Sequence, residues 1–158
     1  MKPVVSITPQ FAVTGALEPA DFKAAAAMGF KAIIGNLPDG ESPKHPTSAE
    51  AARLAAEAGL TYVHVPITKF DLLSERVQAD TIAAVRAADG PVLAHCFSGL
   101  RSAMAWGVAA ARFQDAEAIV ATLAKAGFNA TPLREELASL KAEDASAAPP
   151  VLRASAST

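Results

Sequence analysis

The sequence predicts a single α/β domain with a mostly parallel central sheet flanked by helices. Three observations carry that prediction. Short apolar and β-branched runs alternate with Ala-rich segments of helical periodicity, the pattern of strand–helix–strand units. Glycines stand just after the helical segments, at Gly29, Gly59, Gly90 and Gly127. With 158 residues and 51% hydrophobic content, the chain can bury one substantial core.

Taken in order, Val4 to Ile7 and Phe11 to Thr14 are β-prone pieces around "TPQ" and predict a small hairpin at the sheet edge. Pro19 fits the first turn of a helix running to about Met28. "FKAIIG" is a short buried strand, and "NLPDGESPKHP" is a loop rich in turn residues. Thr47 and Glu50 have capping-box spacing ahead of the helix "TSAEAARLAAEAG". "LTYVHVPI" is the next strand, with apolar residues on both faces, and a strand covered on both sides is expected. "TKFDLLS" is a loop. From Glu75 to Ala88, Val77, Thr81, Ala84, Val85 and Ala88 share one helical face. "PVLAH" is short and wholly apolar until its last residue, and predicts a central strand. Three helices follow: Ser102 to about Arg112, Gln114 to Lys125, and Pro132 to about Ala142. The domain thus spans residues 1–142, and the small, polar, Pro-bearing tail 143–158 is expected to be disordered.

Bulk properties narrow the function. A formal net charge of −2 gives no signal for nucleic acid or an acidic membrane surface. No apolar run approaches the roughly 20 residues of a membrane span. Proline and polar residues interrupt "MKPVVSITPQFAV" where a signal peptide needs an apolar stretch, so a cytoplasmic protein is expected. The one cysteine, Cys96, excludes an internal disulfide and a cysteine-rich zinc site. His45, His64 and His95 lack metal-ligand spacing, and no metal site is expected. Nothing in the pattern assigns an oligomeric state.

Ligands of open α/β sheets bind at the carboxyl ends of the strands. Three loops are expected there: Asn36 to Pro46, Thr68 to Leu73, and Cys96 to Arg101. In "AHCFSGLRS" a strand gives way to a helix through Phe97, Ser98, Gly99 and Leu100. Backbone N–H groups of such a loop, and the unpaired N–H groups of the helix start, form an anion cradle. A cysteine at its rim feels the same field, which favours thiolate over thiol and makes the sulfur nucleophilic. Arg101 adds a fork of donors for two oxygens of an anion. Gly99 lets the backbone turn tightly, and Ser102 is placed to donate a hydrogen bond to the sulfur. His95 is expected to order the loop through hydrogen bonds, His64 to be a satisfied inner residue, His45 to be solvated, and Trp106 to be core.

"HCFSGLRS" resembles the signature loop of cysteine-dependent phosphatases, H-C-(x)n-R-S/T. Tyrosine and dual-specificity phosphatases place five residues between the cysteine and the arginine; here there are four. The shorter "C-x-x-G-x-R-S" also resembles the active loop of single-domain rhodaneses. "ITPQFAVTGALEPADF", "AIIGNLPDGE", "YVHVPIT" and "PVLAHCFSGLRSAMAW" together are similar, in order and spacing, to the phosphatase-like domain family named for the beta-lactamase hydrolase-like protein, over roughly Val4 to Ala110. Where that family often has tyrosine before the cysteine and arginine after it, this chain has His95, the phosphatase choice, and Phe97. The resemblance implies a dual-specificity-phosphatase-like fold and either of two reactions.

As a phosphatase, Cys96 would attack phosphorus and form a phosphocysteine, with Arg101, Ser102 and the N–H groups of Phe97, Ser98, Gly99 and Leu100 holding the oxygens. Related phosphatases draw the proton for the leaving oxygen from an aspartate on a separate, earlier loop. Asp71 is the first candidate and Asp39 of "PDGE" the second. The substrate would be a phosphorylated protein or a small-molecule phosphate. As a sulfurtransferase, Cys96 would take sulfur from a sulfane-sulfur donor as a persulfide, and no acid would be needed. A non-catalytic anion-binding module is the third reading. None of the three calls for a cofactor.

Overall fold

The computed structural model describes residues 1–142 and 149–152. The expected disordered tail therefore lies largely outside the described residues. Within it, Pro150–Leu152 form a single 3₁₀ turn, with Val151 and Leu152 buried.

Five strands form one sheet: β1 (Val5–Thr8), β2 (Phe11–Thr14), β3 (Ala32–Gly35), β4 (Thr61–His64) and β5 (Val92–His95), in the spatial order β1-β2-β5-β3-β4. Only the β1–β2 hairpin is antiparallel. The other pairings are parallel, so four strands end on the same side of the sheet. β5 is central, as its apolar run predicts. β2 is not at the edge: it pairs with β5 and leaves β1 as the edge strand. The register sets Thr14 and Gly35 on either side of His95, which brings the ends of β2 and β3 alongside the start of the Cys96 loop.

Six α-helices follow in chain order: α1 (Pro19–Ala27), α2 (Ser48–Glu57), α3 (Glu75–Ala87), α4 (Leu100–Ala110), α5 (Ala116–Lys125) and α6 (Arg134–Ser139). Their stops and starts follow local chemistry. Gly29, Gly59 and Gly127 sit at positive φ directly beyond helix ends. Thr47 Oγ1 accepts from Glu50 N–H at 3.3 Å, and Ser74 Oγ accepts from Val77 N–H at 3.3 Å. The segment after Ala130 opens as a 3₁₀ turn, Thr131–Leu133, before α6, so the last helix is shorter than its apolar pattern suggests.

Strand alternation sorts the core onto the two faces of the sheet. Ala12, Ile33 and Leu93 pack with Phe22 and Ala25 of α1 and Ala51 and Ala55 of α2. Val13, Ile34 and Ala94 pack on the opposite face, with Val85 of α3, Trp106 and Val108 of α4, Ile119 of α5 and Leu137 of α6. α4 is buried from Ser102 onward along its whole length. β4 departs from the expectation of two covered faces: it is an edge strand, and Val63 is exposed. Among the described residues, no helix is long and apolar enough to cross a membrane.

Candidate active site

Cys96 follows β5 directly and is fully buried. Its N–H donates to Thr14 O at 3.4 Å, and Asn36 N–H donates to His95 O at 2.8 Å, so β2 and β3 fix the loop's entry from both sides. At its far end Gly99, with φ +96°, is the N-cap of α4. A residue with a Cβ is strained in that conformation. The turn aims Gly99 N–H at Cys96 Sγ, 3.1 Å away. The sulfur thus accepts a backbone donor at the positive end of an eleven-residue helix. Among the described residues, no group of three or more His, Cys, Asp or Glu side chains is placed to hold a metal ion.

Arg101, in the first turn of α4, is clamped by two other loops. Its Nη1 donates to Glu41 Oε2 at 3.0 Å and to Ile67 O at 2.8 Å, and its Nη2 donates to Glu41 Oε1. The carboxylate therefore occupies the terminal edge of the guanidinium. Of the five donors, Nε–H and the second Nη2–H bond no oxygen among the described residues and point the same way, and the Cys96 side chain is a further hydrogen-bonding neighbour of the guanidinium. That edge is a ready fork for two oxygens of an anion. Glu41 holds Arg101 above its ordinary pKa range, with the Cys96 side chain adding in the same direction. In return Arg101 holds the Glu41 carboxyl below the usual range.

Behind the loop, Ser102 is buried and its hydroxyl donates to Asn36 Oδ1 at 2.8 Å, so its one proton is not directed at the sulfur as expected. Asn36 Nδ2 in turn donates to Val65 O at 2.8 Å. This chain ties α4 to the loops after β3 and β4. His95 is also buried, and neither ring nitrogen has a hydrogen-bond partner, which corrects the expectation that it orders the loop through hydrogen bonds. Its ring lies 4.5 Å, centroid to centroid, from that of His45. Burial pushes its pKa down to about 3, so the ring is neutral. His45 is not solvated but half-buried, with Nδ1 2.8 Å from Leu17 O. His64 Nε2 lies 3.0 Å from Leu37 O, a satisfied inner residue as expected. Trp106 is core, and its Nε1–H donates to Val151 O at 2.8 Å.

The two candidate acids differ in position. Asp71 is in the loop after β4, next to the Ile67 carbonyl that Arg101 binds. Its Oδ1 accepts from Thr68 N–H at 2.7 Å and from the Thr68 hydroxyl at 3.2 Å, and its Oδ2 accepts from Arg76 Nη2 at 3.0 Å. Burial raises its pKa, but the Thr68 amide and hydroxyl and the Arg76 guanidinium outweigh it and hold the carboxyl below its usual range. Asp39 accepts from the Ser48 N–H at 2.7 Å and the Ser48 hydroxyl at 2.8 Å, at the first turn of α2. Those bonds hold it low as well. Of the expected residues, the fold thus brings together His95, Cys96, Phe97, Ser98, Gly99, Leu100, Arg101 and Ser102, with Asp71 one loop away and Asp39 turned to α2. Glu41 and Asn36 were not anticipated.

The family described as "Beta-lactamase hydrolase-like protein, phosphatase-like domain" matches residues 4–113. The beta-lactamase hydrolase-like protein of Agrobacterium fabrum is 34% identical over 98 residues, which cover 62% of this chain and 22% of that protein. The chain therefore spans under a quarter of that relative's length. A candidate phosphatase from Neisseria meningitidis has a crystal structure that superposes with a TM-score of 0.71 at 30% identity, covering 86% of this chain and 96% of that one. Tk-PTP in its active form superposes with a TM-score of 0.60 at 21% identity, over 89% and 97% of the two chains, a likeness of fold.

Proposed function

This chain belongs to the family of the beta-lactamase hydrolase-like protein, phosphatase-like domain, and from that membership we propose that it is a cysteine-dependent phosphatase acting on phosphate monoesters. The observation that carries the reading is the Nε/Nη2 edge of Arg101, bonded to no oxygen and held in place by Glu41 and Ile67 O beside a sulfur that accepts the Gly99 N–H. Such a fork fits two oxygens of a tetrahedral oxyanion, and His95 before the cysteine together with an aspartate on a separate loop favours a phosphate over a sulfane-sulfur donor.

In the reaction, Cys96 Sγ attacks phosphorus opposite the leaving oxygen. The S–P bond forms as the P–O bond breaks. Arg101 and the loop N–H groups of Phe97 to Ser102 hold the remaining oxygens as charge spreads. Asp71 gives its proton to the leaving oxygen. Water then adds to phosphorus and returns a proton to Asp71, and the S–P electron pair goes back to sulfur. Asp71 serves only when protonated, and its bonds to Thr68 and Arg76 oppose that, so turnover through Asp71 rises toward acid pH.

The four-residue spacer supports a second reading, a sulfurtransferase in which Cys96 carries a persulfide. One paired assay separates them, on the wild type and Cys96→Ser. One arm follows release from an aryl phosphate; the other follows thiocyanate formation from thiosulfate and cyanide. Cys96-dependent phosphate release is expected, with Asp71→Asn slowing poor leaving groups most. Cys96-dependent thiocyanate without phosphate release would establish the sulfur carrier instead.

A further inference from the structure

Beside the cradle lies a cavity of about 180 Å³ whose walls include Lys2, Glu18, Ser42, Lys44, His45 and Phe97. It is built from the same loops as the site. Phe97 follows Cys96, and its carbonyl accepts from Ala16 N–H at 3.2 Å. Ser42 to His45 continue directly from Glu41, the residue that clamps Arg101. Phe97 is 56% exposed and lines the cavity, directly after Cys96 in the chain.

The charges lining this cavity are not balanced from within. Lys44 makes no ion pair among the described residues, and Lys2 Nζ donates to Ala16 O at 3.0 Å, which leaves two N–H groups and the full charge uncommitted. The one carboxylate present, Glu18, caps the backbone N–H of Asp21 at the start of α1 and keeps its charge, so the two lysines leave the lining with a net charge of +1. A concave wall with two ammonium groups and one carboxylate is net positive, which favours anions.

Building on the phosphatase reading, we infer that this cavity is a second anion subsite, and that the substrate bears a further anionic group joined to the phosphate that Cys96 attacks. Lys2 and Lys44 hold that group, and Phe97 lies against the linkage between the two.

The test is calorimetric titration of Cys96→Ser with inorganic phosphate, diphosphate and triphosphate, in the folded protein as verified by its thermal transition. Diphosphate or triphosphate is expected to bind at least tenfold more tightly than phosphate. Lys44→Gln and Lys2→Gln, each made in that background, are expected to cut this preference at least threefold. Lys125→Gln, on α5 beside the opposite end of the sheet, removes the same charge and is expected to keep it. Phosphate bound without a preference, or a preference that Lys125→Gln lowers as much as Lys44→Gln does, would overturn the subsite and leave the cradle standing. Failure of all three anions to bind would overturn the cradle and the subsite together.

Discussion

A buried imidazole with neither nitrogen bonded is an expensive residue, and His95 bears that expense only in its neutral form. Its folded-state pKa is lowered to about 3, well below that of an unfolded histidine near 6.5. Above the unfolded value both states are neutral and pH has no leverage through this group. As pH falls through about 6.5, the unfolded chain takes a proton that the folded chain refuses, and stability drops by at most about 1.4 kcal/mol per unit. His45, also lowered by burial, adds to the same slope. Urea unfolding of wild type at pH 7 and pH 5 is expected to show this loss, and His95→Leu is expected to flatten it. A variant that keeps the full slope would assign the loss to other groups. Residues of this kind were half legible in the sequence. Cys96, Gly99 and Arg101 stand out because their spacing falls within one turn of chain. Glu41 does not, because its partner is 60 positions away and "PDGE" reads equally well as a solvated turn.

At the scale of elements, most turns and caps were written in local chemistry and were read from it: the glycine stops at Gly29, Gly59 and Gly127, Thr47 before α2, and the switch from strand to helix at Cys96, whereas α3 ends at Ala87 on an extended Ala88, before the expected stop at Gly90. What local chemistry does not encode is neighbourhood. β4 carries apolar or aromatic side chains on both faces, Tyr62 on one and Val63 on the other, like a covered strand, yet its place at the sheet edge is decided by which strands pair elsewhere. The loop from β2 to α1 was also missed as part of the site, since "TGALE" contains no reactive group. Its role is close approach. A Cβ on Gly15 would stand 2.9 Å from Phe97 O and 2.4 Å from the Lys2 side chain. Lys2 can swing away, but Phe97 O is backbone of the cradle. Gly15→Ala is therefore expected to displace the loop that follows Cys96 and lower kcat on an aryl phosphate by about tenfold or more. The global unfolding midpoint should shift little, since Gly15 lies at the cradle rather than in either core. Normal turnover in Gly15→Ala would show that the loop position at Phe97 does not matter to catalysis.

The whole molecule places its most buried helix, α4, directly behind its most reactive residue. Apart from Leu100 and Arg101, every residue of α4 is buried, and the small side chains of Ala103, Ala105, Gly107 and Ala109 let the sheet and α5 close around it. The helix that carries Arg101 and Ser102 is thus positioned by the entire core rather than by the loop alone. One seal on that core comes from far along the chain. Val151 and Leu152 are buried against it, and Val151 O accepts the indole N–H of Trp106 at 2.8 Å. Burying two such side chains contributes roughly 1.5–3 kcal/mol each, and ordering four backbone residues costs about 1–2 kcal/mol apiece. Those terms nearly cancel, so the decisive one is the indole donor, which without Val151 O is left buried or must admit water at about 1–3 kcal/mol. A chain ended at residue 148 is therefore expected to lose about 2 kcal/mol of stability, measured by urea unfolding. Trp106→Phe in the full chain gives up the same hydrogen bond and should reproduce part of that loss. Because the Trp106 contact is more than a helical turn from Arg101, turnover of the folded shortened chain on an aryl phosphate at low temperature should stay close to that of the full chain. An unchanged unfolding midpoint would mean that α4 is sealed without this segment, and a lost kcat in the folded shortened chain would mean that the seal reaches the cradle.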